Sequence, residues 1–416
     1  MGRRDSATQH RSATQLRDLR TGMPLWLAKG RPRVPVSAPE SLPEKCDVVV
    51  IGSGITGAML ADALTAAGFS VVVLDRRMPC SGSTPASTAL LQFEIDTPLI
   101  VLGRKIGVKH ARRAWLRSFQ AVDDLARRIA ELRIDCDFKR RSAVYLPGNV
   151  LDVKGLETEL AARQNIGLPS ELLGRDNLER LTGIDKPGAL ISLGAAEVDP
   201  VKLAAGLLRR SVARGARIFS PVEVADVAPR RAGVTVSMAD GRELDARFVV
   251  FATGYEVPKG VPLTGHKIIS TWSIATAPQP DRLWPGRELI WEAADPYLYI
   301  RTTADGRVLA GGEDEDFSDA GKRDALIATK TATLQRKLER LIPNLDMTPE
   351  FRWAGSFGES ATGLPSIGVV PGMKGCHAVL GYGGNGITFS MMAAQIVQRT
   401  LCGIDDPDAD LFGLSA

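Results

Sequence analysis

The stretch that decides the fold is residues 46–75, which read CDVVVIGSGITGAMLADALTAAGFSVVVLD. It begins with a short β-branched run of the kind found in strands that are buried on both faces. Three glycines and a helical stretch follow, and a second apolar run ends at Asp75. This order predicts one complete βαβ unit.

Gly52, Gly54 and Gly57 form a G-x-G-x-x-G motif between the predicted strand and helix. In this context the first glycine permits a tight turn, the second lets backbone approach a pyrophosphate, and the third lets the helix pack on the strand. Free N–H groups at the helix N-terminus favour phosphates. Asp75 is placed to accept hydrogen bonds from ribose hydroxyls and would repel a 2′-phosphate, which disfavours NADP. The unit therefore predicts a dinucleotide site.

A loop of small and hydroxyl-bearing residues follows at 81–88 (SGSTPAST), and long helical patterns come next, where an NAD dehydrogenase would continue to alternate strands and helices. With these residues the chain resembles the flavoenzyme family that contains D-amino acid oxidase, glycine oxidase and monomeric sarcosine oxidase. The resemblance covers about residues 46–402, and further segments occur in the order that this family uses. They are EVDP at 197–200, FVVFATG at 248–254, YLYIRTTADGRVLAGG at 297–312, GLPSIG at 363–368 and HAVLGYGGNGITFS at 377–390.

The resemblance implies an α/β fold, α+β overall, in which a Rossmann-like FAD-binding domain is joined to a substrate domain with a mainly antiparallel sheet. We expect residues 1–44 to form a basic N-terminal extension. The FAD-binding domain is expected at 45–97, 190–265 and 345–416, and the substrate domain at 98–189 and 266–344.

The resemblance also implies that the cofactor is FAD. No cysteine or histidine stands in an attachment motif that we can match, so we expect FAD to bind non-covalently. The Gly-rich loop at 381–386 would turn a helix N-terminus toward the flavin edge that gains negative charge on reduction. The expected cofactor-binding residues are Gly52, Gly54, Ile55, Thr56, Gly57, Asp75, Arg76, Ser83, Thr84, Ser87, Thr88, Leu90, Val224, Ala252, Thr253, Gly254, Gly383, Gly384, Asn385, Gly386, Ile387 and Thr388.

The expected substrate residues lie mainly in YLYIR, where the strand period of two places Tyr297, Tyr299 and Arg301 on one face. In the resembling amino-acid oxidases, an arginine at the end of this strand forms a bidentate pair with the substrate carboxylate. Arg301 matches that place, with a surface or structural arginine as the alternative. The two tyrosines are expected as pocket walls, with packing in a half-buried strand as the alternative. Lys267 is a candidate for contact with the flavin or for support of its reaction with oxygen, with a solvated lysine as the alternative.

One departure from the family pattern bears on the substrate. Some glycine oxidase-like members carry a second arginine after a Trp-Ala-Gly segment, whereas here residues 353–355 (WAG) continue with SFGE. The missing cation counts against a small carboxylate substrate. Glu359 would instead favour an amine, with a surface carboxylate as the alternative. The acidic run at 313–316 is expected to be a solvated turn.

The interpretation that follows is an FAD-dependent amine or amino-acid oxidase or dehydrogenase, in which hydride passes from the carbon that bears the nitrogen to flavin N5. One alternative is an FAD-dependent dehydrogenase of a 2-hydroxy acid or a glycerol phosphate. Another is a flavin-carrying subunit of a larger complex. The electron acceptor is either oxygen or a carrier, and a homo-oligomer is compatible with the sequence.

Composition indicates in which compartment, and with which kinds of partner, this reaction takes place. The 416 residues are 44% apolar and 24% charged, and no apolar stretch is long enough to predict a transmembrane segment. The net charge is +4, but residues 1–45 alone carry an excess of five positive charges, which argues against a nucleic-acid partner for the folded body. Five scattered cysteines without a C-x-x-C pair fit a reducing cytoplasm, and four dispersed histidines give no metal motif.

Overall fold

The computed structural model of the chain describes residues 12–28, 30–262 and 265–414. These residues form an α/β fold with two sheets, one of eight strands and one of ten. The strands are β1 (Arg20–Gly22), β2 (Lys45–Ile51), β3 (Val71–Leu74), β4 (Leu90–Leu91), β5 (Lys139–Pro147), β6 (Ser170–Gly174), β7 (Gly188–Glu197), β8 (Arg217–Phe219), β9 (Val224–Arg230), β10 (Gly233–Met238), β11 (Glu243–Phe251), β12 (His266–Thr276), β13 (Leu289–Ala293), β14 (Leu298–Thr302), β15 (Val308–Glu315), β16 (Pro349–Ser360), β17 (Ser366–Val369) and β18 (Cys376–Leu380). The α-helices are α1 (Leu25–Ala28), α2 (Ile55–Ala66), α3 (Leu99–Ile106), α4 (Val108–Leu132), α5 (Val153–Asn165), α6 (Arg175–Thr182), α7 (Pro200–Ala213), α8 (Ala320–Ala325), α9 (Ile327–Leu341) and α10 (Gly386–Leu401).

The eight-stranded sheet contains the predicted βαβ unit. Its main order is β17-β18-β11-β2-β3-β8, and β2 is parallel to both β3 and β11. Alternate residues of the central strands are buried on opposite faces. Val48 and Val50 pack in a cluster with α2, α7 and α10, while Val49 and Ile51 pack toward β9 and β10. Burial on both faces explains the uninterrupted apolar run of β2.

The ten-stranded sheet is mainly antiparallel, in the order β1-β16-β12-β15-β14-β13-β5-β7-β4, with β6 paired to β7. Helix α9 covers one face, where Leu334 and Leu338 join a cluster with Trp272. The other face carries Trp291 and Tyr299 toward the first sheet. The predicted pair of α/β and antiparallel layers is thus confirmed.

The structure divides several predicted elements differently. The predicted helix over 98–132 is two helices, because Gly107 adopts a left-handed φ of +87° between α3 and α4. For the region 154–183 the sequence predicts one or two helices separated by a polar, Gly-containing break, and the structure has β6 between α5 and α6. Asp199, by contrast, caps α7 as expected, and its carboxylate accepts the N–H groups of Val201 and Lys202.

The two sheets do not divide at residues 190 and 345, where the sequence placed domain boundaries. Strand β7 crosses residue 190 and pairs with β5, while β16 pairs along its length with β12. Both therefore belong to the ten-stranded sheet, as does β4, because their backbone hydrogen bonds are made there.

The described part of the predicted N-terminal extension lies against the body of the protein. Ser12 and Thr14 are buried, and Trp26 donates its Nε1–H to the carbonyl of Ser87 at 2.7 Å. The remainder of that extension, residues 1–11 and Lys29, lies outside the described residues. In the described part of the chain, no helix has the length and apolarity needed to span a membrane.

Candidate active site

The turn after β2 has the geometry that the glycine motif predicts. Gly52 has a φ of +112°, and a Cβ on it would overlap the carbonyl oxygen of Ala252. A Cβ on Gly57 would overlap the carbonyl oxygen of Gly52, so α2 packs against the turn only because residue 57 has no side chain. The N-terminus of α2 therefore lies beside the end of β2, where its free N–H groups favour an anion.

Asp75 follows β3 and is fixed by three hydrogen bonds. Its Oδ2 accepts from the backbone N–H and the hydroxyl of Ser53 at 2.7 and 2.6 Å, and its Oδ1 accepts from the N–H of Arg77 at 2.8 Å. Burial raises the pKa of this carboxyl, and the hydrogen bonds oppose that shift. A carboxylate offers about four acceptor positions, so Asp75 keeps capacity for a ribose hydroxyl.

A cavity begins at this turn and is lined by both sheets. We call the part around Thr14, Arg76, Val224 and Glu256 the nucleotide end. The other part, which we call the aromatic end, is lined by the side chains of Tyr255, Trp291, Tyr297, Tyr299, Phe357 and Tyr382.

Most of the predicted cofactor-binding residues meet in this cavity. Its lining includes Gly52, Gly54, Ile55, Thr56, Asp75, Arg76, Ser83, Thr84, Ser87, Thr88, Leu90, Val224, Ala252, Thr253, Gly254, Gly383, Gly384, Asn385, Gly386 and Ile387. Two predicted residues do not line it. Gly57 packs behind the turn, and the buried Thr388 donates its hydroxyl to the carbonyl of Gln92 at 2.9 Å.

Polar groups in the lining fit a flavin dinucleotide. The amide nitrogen of Gln92, the hydroxyl of Thr253 and the amide oxygen of Asn385 are buried without a hydrogen-bond partner in the protein. Because each such group costs about 1–3 kcal/mol when it stays unpaired, the cavity is built for a polar molecule. At the first turn of α2, the N–H of Ile55 already donates to an oxygen, the hydroxyl of Thr84, at 3.0 Å. These donors and acceptors suit the phosphates, hydroxyls and ring edge of FAD.

The aromatic end is built from one row across the ten-stranded sheet. Tyr299 lies between Gly311 on β15 and Trp291 on β13, and Trp291 lies beside Tyr145 on β5. A Cβ on Gly311 would collide with the phenol ring of Tyr299, so this glycine provides the space in which that ring lies. Trp291 stacks on Tyr145 with ring centroids 3.8 Å apart. The wall of the cavity is therefore set by packing within the sheet.

Asp96 brings a negative charge to the aromatic end. Its carboxylate lines the cavity against the Gly-rich loop, and its Oδ2 accepts the N–H of Gly384 at 2.7 Å. The pKa of Asp96 is raised to about 6, mainly by desolvation and to a smaller extent by the carboxylate of Glu359, while the hydrogen bond from Gly384 opposes the shift. Asp314 is buried nearby, and burial raises its pKa to about 7 despite the hydroxyls of Thr271 and Tyr297.

Arg301 does not line the cavity, which differs from its predicted role. It is 2% exposed, and its guanidinium donates to the carbonyls of Thr302, Ala89 and Val198 at 2.8–2.9 Å. Burial lowers its pKa to about 10, while Glu197, 3.8 Å away, opposes the shift. Nε and Nη1 are thus used in hydrogen bonds to backbone carbonyls, and the side chain ties three chain segments together.

Lys267 also lies outside the cavity lining. Its side chain is half-exposed and pairs with Asp316 at 2.8 Å and with Glu359 at 3.3 Å. The acidic run in this region is not the solvated turn that we expected, because β15 continues through it. Glu313 is 7% exposed and pairs with Lys337. Only Asp316 of this run is fully open to solvent.

Sequence reasoning missed several residues of the aromatic end. Asp96 and Trp291 lie outside every motif that we singled out, and their roles depend on the packing of distant segments. Tyr382 could have been found, since it lies within the Gly-rich loop at 381–386. Its ring lies 6.1 Å from that of Tyr255, between centroids.

Comparisons with known proteins agree with this geometry. The model of a family described as FAD dependent oxidoreductase matches residues 47–400. Gamma-glutamylputrescine oxidoreductase of Escherichia coli (strain K12) is 26% identical over 379 residues, which cover 88% of this chain and 85% of that protein. Glycine oxidase of Geobacillus kaustophilus (strain HTA426) is 24% identical over 375 residues, which cover 85% of this chain and 93% of that protein.

The crystal structure of glycine oxidase from Geobacillus kaustophilus has the same fold. It superimposes with a TM-score of 0.74 over 90% of this chain and 99% of that one, at 21% sequence identity. The conserved arrangement of the two layers therefore extends over nearly the whole chain.

Proposed function

Because the chain belongs to the family of FAD-dependent oxidoreductases, we propose that it oxidises the carbon–nitrogen bond of an amine that carries no carboxylate beside the reacting carbon. The observation that carries this proposal is the charge of the aromatic end. Among the described residues, the only cationic side chains that line the cavity are Arg76 and Arg77, at the nucleotide end, whereas Asp96 supplies a carboxylate at the aromatic end.

The two arginines are already engaged. Arg77 forms a bidentate pair with Glu256 at 2.6 and 2.7 Å, and Arg76 pairs with Glu223 at 3.1 Å. Among the lining residues that the structure describes, a substrate carboxylate at the aromatic end would meet Asp96 and no guanidinium. An ammonium there would meet a carboxylate and the faces of aromatic rings, both of which attract cations.

Asp96 has two tasks in this proposal. With a pKa of about 6 it is largely ionised in neutral solution, so Oδ1 can accept a charge-assisted hydrogen bond from the substrate ammonium while Oδ2 holds Gly384. Transfer of one ammonium proton to Oδ1 would leave the neutral amine, which is the form that releases hydride. Bound FAD supplies the acceptor for that hydride.

The aromatic side chains align the substrate and exclude water. Tyr297 and Tyr299 have ring centroids 5.6 Å apart and form one wall with Trp291. Correct placement of the C–H bond contributes more to this reaction than a strong base does. A site without a catalytic histidine is therefore adequate.

The relatives support oxidation of an amine or an amino acid and do not define which of the two is the substrate. One is named for gamma-glutamylputrescine and another for glycine. The residue that follows the Trp-Ala-Gly-Ser segment here is Phe357, which lines the cavity with an uncharged ring. This residue favours the amine over the amino acid, and the lack of an anion site disfavours a 2-hydroxy acid or a glycerol phosphate.

We infer that FAD is bound non-covalently in the cytoplasm, with oxygen or a carrier as electron acceptor. Cys80, Cys376 and His377 are buried outside the described cavity lining, which leaves them poorly placed for attachment to the cofactor. The cysteines in the described residues are free, which fits a reducing compartment. Size-exclusion chromatography of the native protein tests for a homo-oligomer or a catalytic partner.

Anaerobic mixing tests the proposed reaction. Purified holoenzyme is combined with a panel of amines, amino acids and 2-hydroxy acids, and loss of the oxidised-flavin absorbance is followed. Bleaching by amines supports the proposal. Bleaching only by hydroxy acids, or only by amino acids, would reject it. Readmission of air then shows whether oxygen alone restores the oxidised spectrum.

A further inference from the structure

Residues 12–22 cross the cavity and lie outside the segment that matches the family model, which begins at residue 47. We call them the N-terminal strap. We propose that the N-terminal strap forms part of the FAD site and closes over the bound cofactor, so that FAD leaves only when the strap is displaced.

One end of the strap is fixed at the eight-stranded sheet. The N–H of Ala13 donates to the carbonyl of Val224 at 2.8 Å, and the N–H of Gln15 donates to the carbonyl of Val257 at 2.9 Å. Thr14 forms a bridge with Pro258. Val224 itself lines the nucleotide end, so this anchor lies directly at the cavity.

The other end is fixed at the ten-stranded sheet. The carbonyl of Leu19 accepts the N–H of Ser356 at 3.0 Å, and β1 then pairs antiparallel with β16. Arg323 donates to the carbonyl of Asp18 at 2.8 Å. The strap therefore joins the two sheets across the cavity that lies between them.

Two strap side chains line the cavity, one near each anchor. Thr14 is 3% exposed, and Arg76 donates to its hydroxyl and to that of Ser12. Leu19 is 6% exposed and lies against the loop at Gly82. By contrast, Leu16 between them is 62% exposed and points away from the cavity.

Charged side chains also hold the N-terminal strap between its two anchors. Glu256 accepts the N–H of Arg17 at 3.1 Å while it holds Arg77, and Arg77 also donates to the carbonyl of Arg17 at 3.3 Å. Arg20 donates to the carbonyls of Gly82 and Ser81 in the loop behind the predicted flavin position. The strap is thus tied to the cofactor-binding loops as well as to the two sheets.

The test measures release of FAD from the holoenzyme, and it does not depend on the substrate. Parent, Leu19→Ala, Leu16→Ala and a deletion of residues 2–19 are diluted into buffer, and the fluorescence of free FAD is followed over time. Leu19→Ala should release FAD about tenfold faster or more, as expected for loss of one buried leucine contact, and the deletion faster still. The matched Leu16→Ala control should release FAD at the parent rate.

A purely structural strap gives a different result. In that case Leu19→Ala lowers the melting temperature of the apo and holo forms by the same amount and leaves FAD release unchanged, which would overturn the proposal. Our proposal predicts that the gap between the apo and holo melting temperatures shrinks in Leu19→Ala. If the deletion variant fails to fold, the rate of FAD release and the apo and holo melting temperatures of Leu19→Ala and Thr14→Val test the proposal. Failure of the parent holoenzyme to oxidise any amine would count against the proposed reaction and would leave this test of FAD release unaffected.

Discussion

Replacement of Asp96 by asparagine tests the proposed recognition of an ammonium group. The substitution keeps the size of the side chain and an oxygen that can accept the N–H of Gly384, so the Gly-rich loop should hold its position. What it removes is the negative charge at the aromatic end. A hydrogen bond to a charged partner contributes about 1.5–3 kcal/mol, so kcat/KM for an amine should fall by about 10- to 150-fold.

The pH profile provides a second signature of the same residue. The pKa of Asp96 is raised to about 6, so the carboxylate is charged above that value and neutral below it. In the parent enzyme kcat/KM for an amine should therefore decline as the pH falls through about 6. Asp96→Asn has no group to protonate there, and this acid limb should disappear.

Steady-state kinetics compares kcat/KM and its pH dependence in the parent, in Asp96→Asn and in Asp316→Asn. Asp316 is the matched control, because its exposed carboxylate pairs with Lys267 at 2.8 Å and lies outside the cavity lining. Asp316→Asn should keep the parent kcat/KM and the parent pH profile. If Asp96→Asn also stays within about twofold of the parent, or keeps the acid limb, then Asp96 does not bind the ammonium.

Two further substitutions test the structural role of Arg301 and the absence of a positive charge at residue 357. Arg301→Met leaves several buried carbonyls without their donor, although Glu197 keeps its pair with Arg141. Urea denaturation should therefore show a loss of about 3–5 kcal/mol in the free energy of unfolding, with KM unchanged in the folded enzyme. An unchanged free energy of unfolding together with a raised KM would instead indicate that Arg301 binds the substrate. Phe357→Arg places a guanidinium in the lining, and kcat/KM for amino acids should rise about tenfold relative to amines. No change in that ratio would show that residue 357 does not face the substrate.

The sequence was most informative where structure depends on local backbone constraints. The turn at Gly52, the close packing at Gly57 and the cap at Asp199 follow from steric and hydrogen-bonding rules that act within a few residues. The hairpin at Asp305 and Gly306 joins β14 and β15 for the same reason. Such features are predictable because no distant segment is needed to create them.

The role of Arg301 was harder to predict from the sequence, because the residues around it are distant from it along the chain. Periodicity correctly placed Arg301 in a strand, but its carbonyl partners Ala89 and Val198 are supplied by other segments. Asp96 was missed for the same reason, since its importance arises only when Gly384, almost three hundred residues later, packs beside it. The sheet to which β7 and β16 belong was equally hard to predict, because it is set by strand pairing with distant segments.

Transient anaerobic kinetics with matched substrates tests the central claim most directly. Each amino acid is compared with the amine obtained by replacing its carboxylate with hydrogen, such as valine with isobutylamine, and the rate of flavin bleaching is measured for both. Our account predicts faster bleaching by the amine in every productive pair, because the described residues of the aromatic end include Asp96 and no guanidinium. Consistently faster bleaching by the amino acid would show that the site binds a carboxylate and would contradict the account.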